Sequence, residues 1–474
     1  MARFTKVLLG LTTICAATAA AMVNPAAALS AQDSVTARAI LGELLEIDTT
    51  HAKGTEAAVQ VLRTRFLAAG FSPANLVVLA DPESPSQANL IVRIRGNGSG
   101  KPLLYLCHLD VVPAKPEDWT VPPFALTEKG GWIYGRGSLD MKGEDANVAA
   151  ALLRLKREGY QPARDIIVAF TAAEETDVKD GKEGVAWLLR AHRDLIDAGL
   201  VLNPDEGMAA FRGGRRVFYG VSTSEKTYVT FIAETTNRGG HSSEPRPDNA
   251  IYELTAALNR LAVFKFPIVL TDTVRAFYAS QAQFETGARQ ADMRAVGSGD
   301  QAAAERLAIE PTDNAQLRTT CVATMLEAGQ AENALPQRAR ATIQCRLLPG
   351  DTVEQAKATL RGVLMDAVSV VSVPPNPTVG PESPPSKAVL SIYRSVMQSM
   401  WPGLPVMVVM DESTSDSRFT RAAGMPSYGA DSIFYDLEDM RAHGRDERIK
   451  ADRFAEGAEF AYRLMKAFSA PGAP

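Results

Sequence analysis

The sequence predicts an α/β fold built in two parts, on three observations. Short apolar runs alternate with helical ones through the first half, the order of elements changes near Tyr228, and 474 residues exceed what one core comfortably fills. Hydrophobic residues make up 46% and charged residues 22%, so a folded chain without a long disordered tail is expected.

The amino terminus reads as a leader. Arg3 and Lys6 precede an apolar, Ala-rich run over 7–21, and small residues follow. Cleavage after Ser30, with Ala28 two places before it, or after Ala28 itself, would release the mature chain. The apolar run is short for a span, so no stable membrane anchor is expected, and Cys15 after Ile14 argues against a lipoprotein. An exported chain, periplasmic or secreted, is the expectation. The net charge of −5 becomes more negative once Arg3 and Lys6 are removed, which disfavours nucleic-acid partners. Cys107, Cys321 and Cys345 are too few for a disulfide framework and leave room for one Cys321–Cys345 bridge in an oxidising compartment.

Runs at 103–106, 166–170 and 200–202 read as buried strands, with helical spacing at 146–156 and 185–193 between them. From Tyr228 the order becomes strand (228–233), helix (249–261), two strands (321–327 and 339–347), helix (353–364) and strand (368–373). That β-α-β-β-α-β order is the ferredoxin-like arrangement, here inserted into the first domain. The stretch 266–320 is a long polar excursion within it, Pro-rich 373–385 is the return linker, and helical spacing resumes at 388–400. The expected boundaries are leader 1–30, catalytic part 31–222, inserted lid 223–380, and catalytic part 381–474.

Three of the strands run into ionisable residues at their carboxyl ends: His108-Leu109-Asp110, Glu174-Glu175, and Asp205-Glu206-Gly207. Ligands of open α/β sheets bind beyond the carboxyl ends of strands, so these groups should converge. Carboxylates gathered in a cleft raise one another's pKa unless a cation compensates. Imidazole with carboxylates and no thiolate suits zinc, and also cobalt or manganese, with a position left open for water. Cys107 neighbours His108 but should face the other side of its strand. Between the first two strands, Gly135-Arg136-Gly137-Ser138-Leu139-Asp140-Met141-Lys142-Gly143 presents Asp140 at a helix start, where its two oxygens could bridge two metals. A phosphate cradle is the competing reading, but neither nucleotide fingerprint has this spacing.

These motifs resemble the signature of the peptidase M20 family, whose members include carboxypeptidases, dipeptidases and aminoacylases. Gly239-Gly240-His241-Ser242-Ser243, Asn333-Ala334-Leu335-Pro336, Arg346-Leu347-Leu348-Pro349-Gly350-Asp351 and Ala442-His443-Gly444-Arg445-Asp446-Glu447 follow in the family's order, so the resemblance spans nearly the whole mature chain. It implies a zinc-exopeptidase-like catalytic domain with a ferredoxin-like α+β lid. It also implies that Asp140 bridges two Zn²⁺ ions, with His108 and Glu206 on one and Glu175 and His443 on the other. Asp205 is the rival to Glu206, since spacing cannot rank adjacent side chains. Glu174 would be the general base, and Asp110 would orient His108 through the ring nitrogen not bound to metal. His241 would stabilise the oxyanion, reaching the metals by lid closure or from the second subunit of a homodimer joined through the lid. Asn333 and Arg346 would bind a substrate carboxylate, for which the planar guanidinium is suited.

The activity so implied is hydrolysis of a peptide bond, as a carboxypeptidase or dipeptidase on substrates with a free C-terminal carboxylate. An N-acyl-amino-acid amidohydrolase would have the same metal site and differ only in its acyl pocket. Retention of Glu174 weighs against a non-catalytic binding module. Of five histidines, His51 and His192 read as ordinary surface or core residues, and neither Asp416-Ser417-Arg418 nor Glu225-Lys226 receives a role.

Overall fold

Side chains alternate across a pleated strand, and along Leu103–His108 that alternation sets the layers of the catalytic part. Leu103, Tyr105 and Cys107 enter one apolar cluster, while Leu104 and Leu106 enter another on the opposite face. In the computed structural model, residues 25–176, 183–365, 368–372 and 377–474 are described. The leader read from the sequence falls on residues outside that part and on the first turns of a helix, Pro25–Leu45.

The strand lies inside a six-stranded sheet ordered Leu76–Leu79, Asn89–Ile94, Ile166–Thr171, Leu103–His108, Leu200–Asn203, Ser427–Gly429. The last four are parallel, so their carboxyl ends emerge on one edge. The helices Pro25–Leu45, Lys142–Arg157 and Ala451–Phe468 pack together over one face, and Gly184–Ala191 and Ser417–Ala422 lie near the other. Such central strands read as unbroken apolar runs because both faces are covered. A second sheet, absent from the sequence reading, pairs Val406–Asp411 with Arg215–Glu225, then Met208–Arg212 and Tyr435–Asp436. No helix among the described residues is long and apolar enough to cross a membrane.

The inserted unit is a four-stranded antiparallel sheet ordered Thr320–Ala328, Arg338–Leu347, Thr227–Thr236, Ser369–Ser372. With the helices Ala250–Val263 and Val353–Leu364 against one face, this is the ferredoxin-like arrangement expected. Val229, Phe231 and Ala233 alternate into that core opposite Ala341, Ile343 and Cys345. Thr352 and Gln355 close a capping box at the start of Val353–Leu364.

The polar excursion folds into four helices, Asp272–Gln281, Gly287–Gly297, Gln301–Leu307 and Pro311–Leu317, with a small core around Tyr278, Val296 and Leu317. It packs against Val406–Asp411 of the catalytic part, through Asp272–Gln281.

Cys321 and Cys345 sit directly opposite in the register of adjacent strands and are joined in a disulfide spanning 24 residues. Closing a loop of that length removes unfolded-state entropy worth about 3 kcal/mol. Denaturant unfolding followed with and without reductant should therefore show the lid losing about that much stability, and an unchanged transition would mean that the strand pair gains nothing from the bridge.

Candidate active site

The carboxyl edge of the parallel sheet gathers the ionisable residues. His108 ends its strand and is 2% exposed; its Nε2 lies 3.1 Å from Asp140 Oδ1 and 3.6 Å from Asp205 Oδ1. His443, half exposed, places Nε2 3.0 Å from Asp140 Oδ2 and 2.9 Å from Glu175 Oε1. The two oxygens of Asp140 thus face two different trios. The ligand atoms of His108, Asp140 and Asp205 all lie within 4.8 Å of one another, and so do those of Asp140, Glu175 and His443.

Asp205, not Glu206, takes the position beside His108. Asn203 Oδ1 accepts the Asp205 N–H at 3.0 Å, an Asx turn that aims Asp205 outward over the strand end. Glu206 is buried on the other side, where Arg421 pairs with both of its oxygens at 2.8 and 3.1 Å and Ser415 Oγ donates at 2.7 Å. The assignment of Glu206 as a ligand is corrected on that ground.

Asp110 lies beside His108, but its carboxylate does other work. The orienting contact on His108 Nδ1 comes from the Asp110 carbonyl at 3.1 Å, with the carboxylate at 3.8 Å. The Asp110 carboxylate instead accepts the N–H groups of Glu174 and Glu175 at 3.1 and 3.0 Å, fixing the turn that carries both acids. Ala173, just before them, and His443 adopt φ of 64° and 62°. Left-handed backbone in non-glycine residues is uncommon and clusters at functional sites.

The glycine-rich turn is locked from the far end of the chain. Buried Glu447 accepts the N–H groups of Gly137, Leu139 and Asp140 at 2.8 to 3.1 Å and pairs with Arg136 at 2.6 Å. Arg136 also donates to the carbonyls of His443 and Gly444. Glu447→Ala would leave a buried guanidinium without its carboxylate, a loss worth about 3–5 kcal/mol, so a large drop in the unfolding midpoint is expected. A midpoint within a degree of the parent's would show that the turn holds without it.

Electrostatics mark the cluster as short of positive charge. Burial, then the Asp205 carboxylate, pushes Glu174 well above the usual carboxylate range, and burial pushes Asp205 up to about 7. Burial also raises Glu175. Burial opposes ionisation of Asp140 as well, but hydrogen bonds from His108 and His443 pull it below its ordinary value. Those with Asp140 and Glu175 lift His443 to about 10. For His108, burial resists charging, yet its bonds with Asp140 and Asp205 hold it well above the usual range. Protons here supply positive charge that divalent cations would supply in their place. The donor set, two imidazoles and three carboxylates with one shared, fits a pair of zinc-like ions. Cys107 stays in the apolar core as a buried free thiol.

His241, Asn333 and Arg346, also expected at the site, belong to neither metal-ligand trio. His241 is exposed, its strand Gly240–His241 paired with Ala334–Leu335, and its Nδ1 lies 2.7 Å from Ser243 Oγ. Asn333 is exposed beside it, its carbonyl accepting the Ser242 N–H. Arg346 projects from the lid sheet, stacked over Tyr228 and 3.5 Å from Thr414 in the loop after Val406–Asp411. His51 pairs with Glu183 at 2.9 Å, and His192 packs on Trp187. Asp205 was legible only as a rival. Asp416, with Oδ2 3.4 Å from Thr171 Oγ1, stood out only within Asp416-Ser417-Arg418 and without a role, and Arg421 had no signal, since its carboxylate partners lie more than 190 residues away.

Comparison with known proteins agrees. An N-fatty-acyl-amino acid synthase/hydrolase PM20D1 from Xenopus tropicalis is 29% identical over 380 residues, covering 77% of this chain and 72% of that protein. An M20 family metallo-carboxypeptidase from Sulfolobus solfataricus superposes with a TM-score of 0.68 at 17% identity, over 91% of this chain and 99% of that one. A dinuclear metal binding M20 peptidase from Bacillus subtilis gives 0.53 at 11%, over 92% and 99%. The model of peptidase family M20/M25/M40 matches residues 104–467, so this chain belongs to that family and is a metal-dependent hydrolase.

Proposed function

We propose that this protein uses two divalent cations, zinc foremost, to hydrolyse an amide bond whose amine side is an amino acid with a free carboxylate. The observation that carries the reading is Asp140, whose two oxygens lie against two separate sets of ligand atoms. His108 and Asp205 would hold one cation and Glu175 and His443 the other, with Asp140 common to both. Bound there, the pair acidifies water and polarises the scissile carbonyl.

Glu174, on the turn fixed by Asp110, takes a proton from the attacking water as the new C–O bond forms. It then returns that proton to the leaving nitrogen as the C–N bond breaks, so the carboxylate is regenerated. Asp110 keeps Glu174 and Glu175 in register, and its carbonyl keeps the His108 ring turned with Nε2 toward the cluster. His241 donates to the developing oxyanion once the lid closes or a second copy supplies it. Arg346 receives the substrate carboxylate, with Asn333 as a second donor. The leader pattern and the Cys321–Cys345 bridge support an exported, periplasmic or secreted protein.

Peptides with a free C-terminus, cleaved as by a carboxypeptidase or dipeptidase, are the first substrate class. N-acyl amino acids are the second, favoured by the activity for which the Xenopus relative is named. A panel of dipeptides, longer peptides and N-acyl amino acids, run with added zinc, ranks them by kcat/KM, and each is repeated with its carboxylate capped as an amide. Capping should abolish turnover throughout. Arg346→Met should raise KM by roughly 10- to 100-fold on free acids, as loss of a charged hydrogen-bonding partner does. Equal rates on capped and free substrates would remove Arg346 from recognition.

A further inference from the structure

Arg421 lies wholly inside the protein, on the short helix Ser417–Ala422, with its side chain 1% exposed. Its guanidinium reaches four separate segments. It grips Glu206 with two nitrogens, donates to Glu225 Oε1 at 3.2 Å and Ser383 Oγ at 3.3 Å, and donates to the Ser427 carbonyl at 3.1 Å.

Each partner occupies a telling place. Glu206 adjoins Asp205 in the turn after Leu200–Asn203. Glu225 ends the strand from which the chain leaves the catalytic part for the lid, and Ser383 lies where it returns. The two crossings touch, because the Ser383 N–H donates to the Thr223 carbonyl at 2.7 Å. Ser415 donates its hydroxyl to Glu206 and its N–H to Glu225, and Asn203 Nδ2 donates to Ser415 and Ser417. Beyond Glu225, the Lys226 N–H donates to the Asp411 carbonyl at 2.9 Å, while its ammonium, also buried, binds the carbonyls of Ala315 and Arg318 from the helical excursion.

A buried carboxylate pair around one cation is a poor source of stability, and apolar side chains of similar size often do as well. What such a group does supply is geometric: a planar fork whose partners cannot shift independently. Here those partners are the turn presenting Asp205 and both crossings into the lid.

We propose that Arg421 is a positioning residue that couples the Asp205 turn to the two lid crossings, so that a cation held by Asp205 and order at the crossings reinforce one another. The inference rests on the two-cation reading above. Coupling between two sites is reciprocal, so it can be read at the crossings without measuring turnover.

The experiment is amide hydrogen exchange on the full chain, cation-free and after zinc loading, with bound zinc measured in each sample. In the parent, two equivalents of zinc should slow exchange at the Lys226 and Ser383 amides by about tenfold. Glu225→Gln keeps the side chain's shape and leaves Arg421 on Glu206, so it should still bind two equivalents while the slowing falls below about twofold. Arg421→Lys, with the charge but not the fork, should lose the slowing too. Full slowing in E225Q, or none in a parent carrying two zinc ions, overturns the coupling while leaving the metal site intact. A parent that takes up no zinc overturns the two-cation reading and this inference with it.

Discussion

Asp140→Asn is expected to strip the protein of both cations and of its activity, the largest effect that any single substitution here should have. Each trio of ligand atoms contains one Asp140 oxygen, so replacing one of them with an amide nitrogen takes a ligand atom from one site and removes the bridging negative charge from both. A lost Lewis acid forfeits several kcal/mol of transition-state stabilisation, and at about 1.4 kcal/mol per decade the rate should fall roughly a thousandfold or more. Elemental analysis after dialysis checks it: the parent should retain two equivalents and the variant fewer than one. If D140N keeps two, the shared-ligand geometry has been misread. His108→Ala should deplete the protein less, since His443, Glu175 and Asp140 would still form one trio.

Glu174→Gln should do the opposite to metal and much the same to turnover. The amide fills the same space, and Glu174 belongs to neither trio of ligand atoms, so two equivalents should remain. Without a proton acceptor, kcat should fall by about 10²- to 10⁴-fold. Folding should be unaffected, because Asp110 holds the turn through main-chain N–H groups that the substitution leaves in place. Metal loss in E174Q matching that in H108A would make Glu174 a ligand instead of a base. Retained turnover with two metals bound would move the base elsewhere.

Much of this arrangement could be read directly from residue order. The strands at 103–106, 166–170 and 200–202 are apolar on both faces because both are covered, and their parallel pairing delivers His108, Glu175 and Asp205 to one edge. The lid was legible because Val229, Phe231 and Ala233, and then Ala341, Ile343 and Cys345, alternate with period two, while the helices between them are amphipathic. The choice between Asp205 and Glu206 was not legible. Past Asn203 the strand period no longer applies, and the outcome depends on an Asx turn and on an arginine 215 residues further on. The helices between 272 and 317 escaped because each is short and mostly polar. Their caps at Thr271 and Asp300, and Pro311 at a helix start, were the available signals. The second sheet escaped because its pairing of Val406–Asp411 with Arg215–Glu225 spans the entire insert.

The residues that lock the glycine-rich turn and complete the second trio come from one stretch, His443 to Glu447. A ribosome that has not yet reached Ala442 therefore holds a chain with every sheet strand of the lid in hand, yet whose catalytic pocket has no lock and lacks one imidazole. Domains fold in the order they emerge, so hydrolytic competence has to wait for residues translated after both the parallel sheet's central strands and the lid. A nonsense codon ahead of that stretch should leave a product with no chemistry, and one that also lacks Ala451–Phe468 and so leaves one apolar face of the central sheet uncovered.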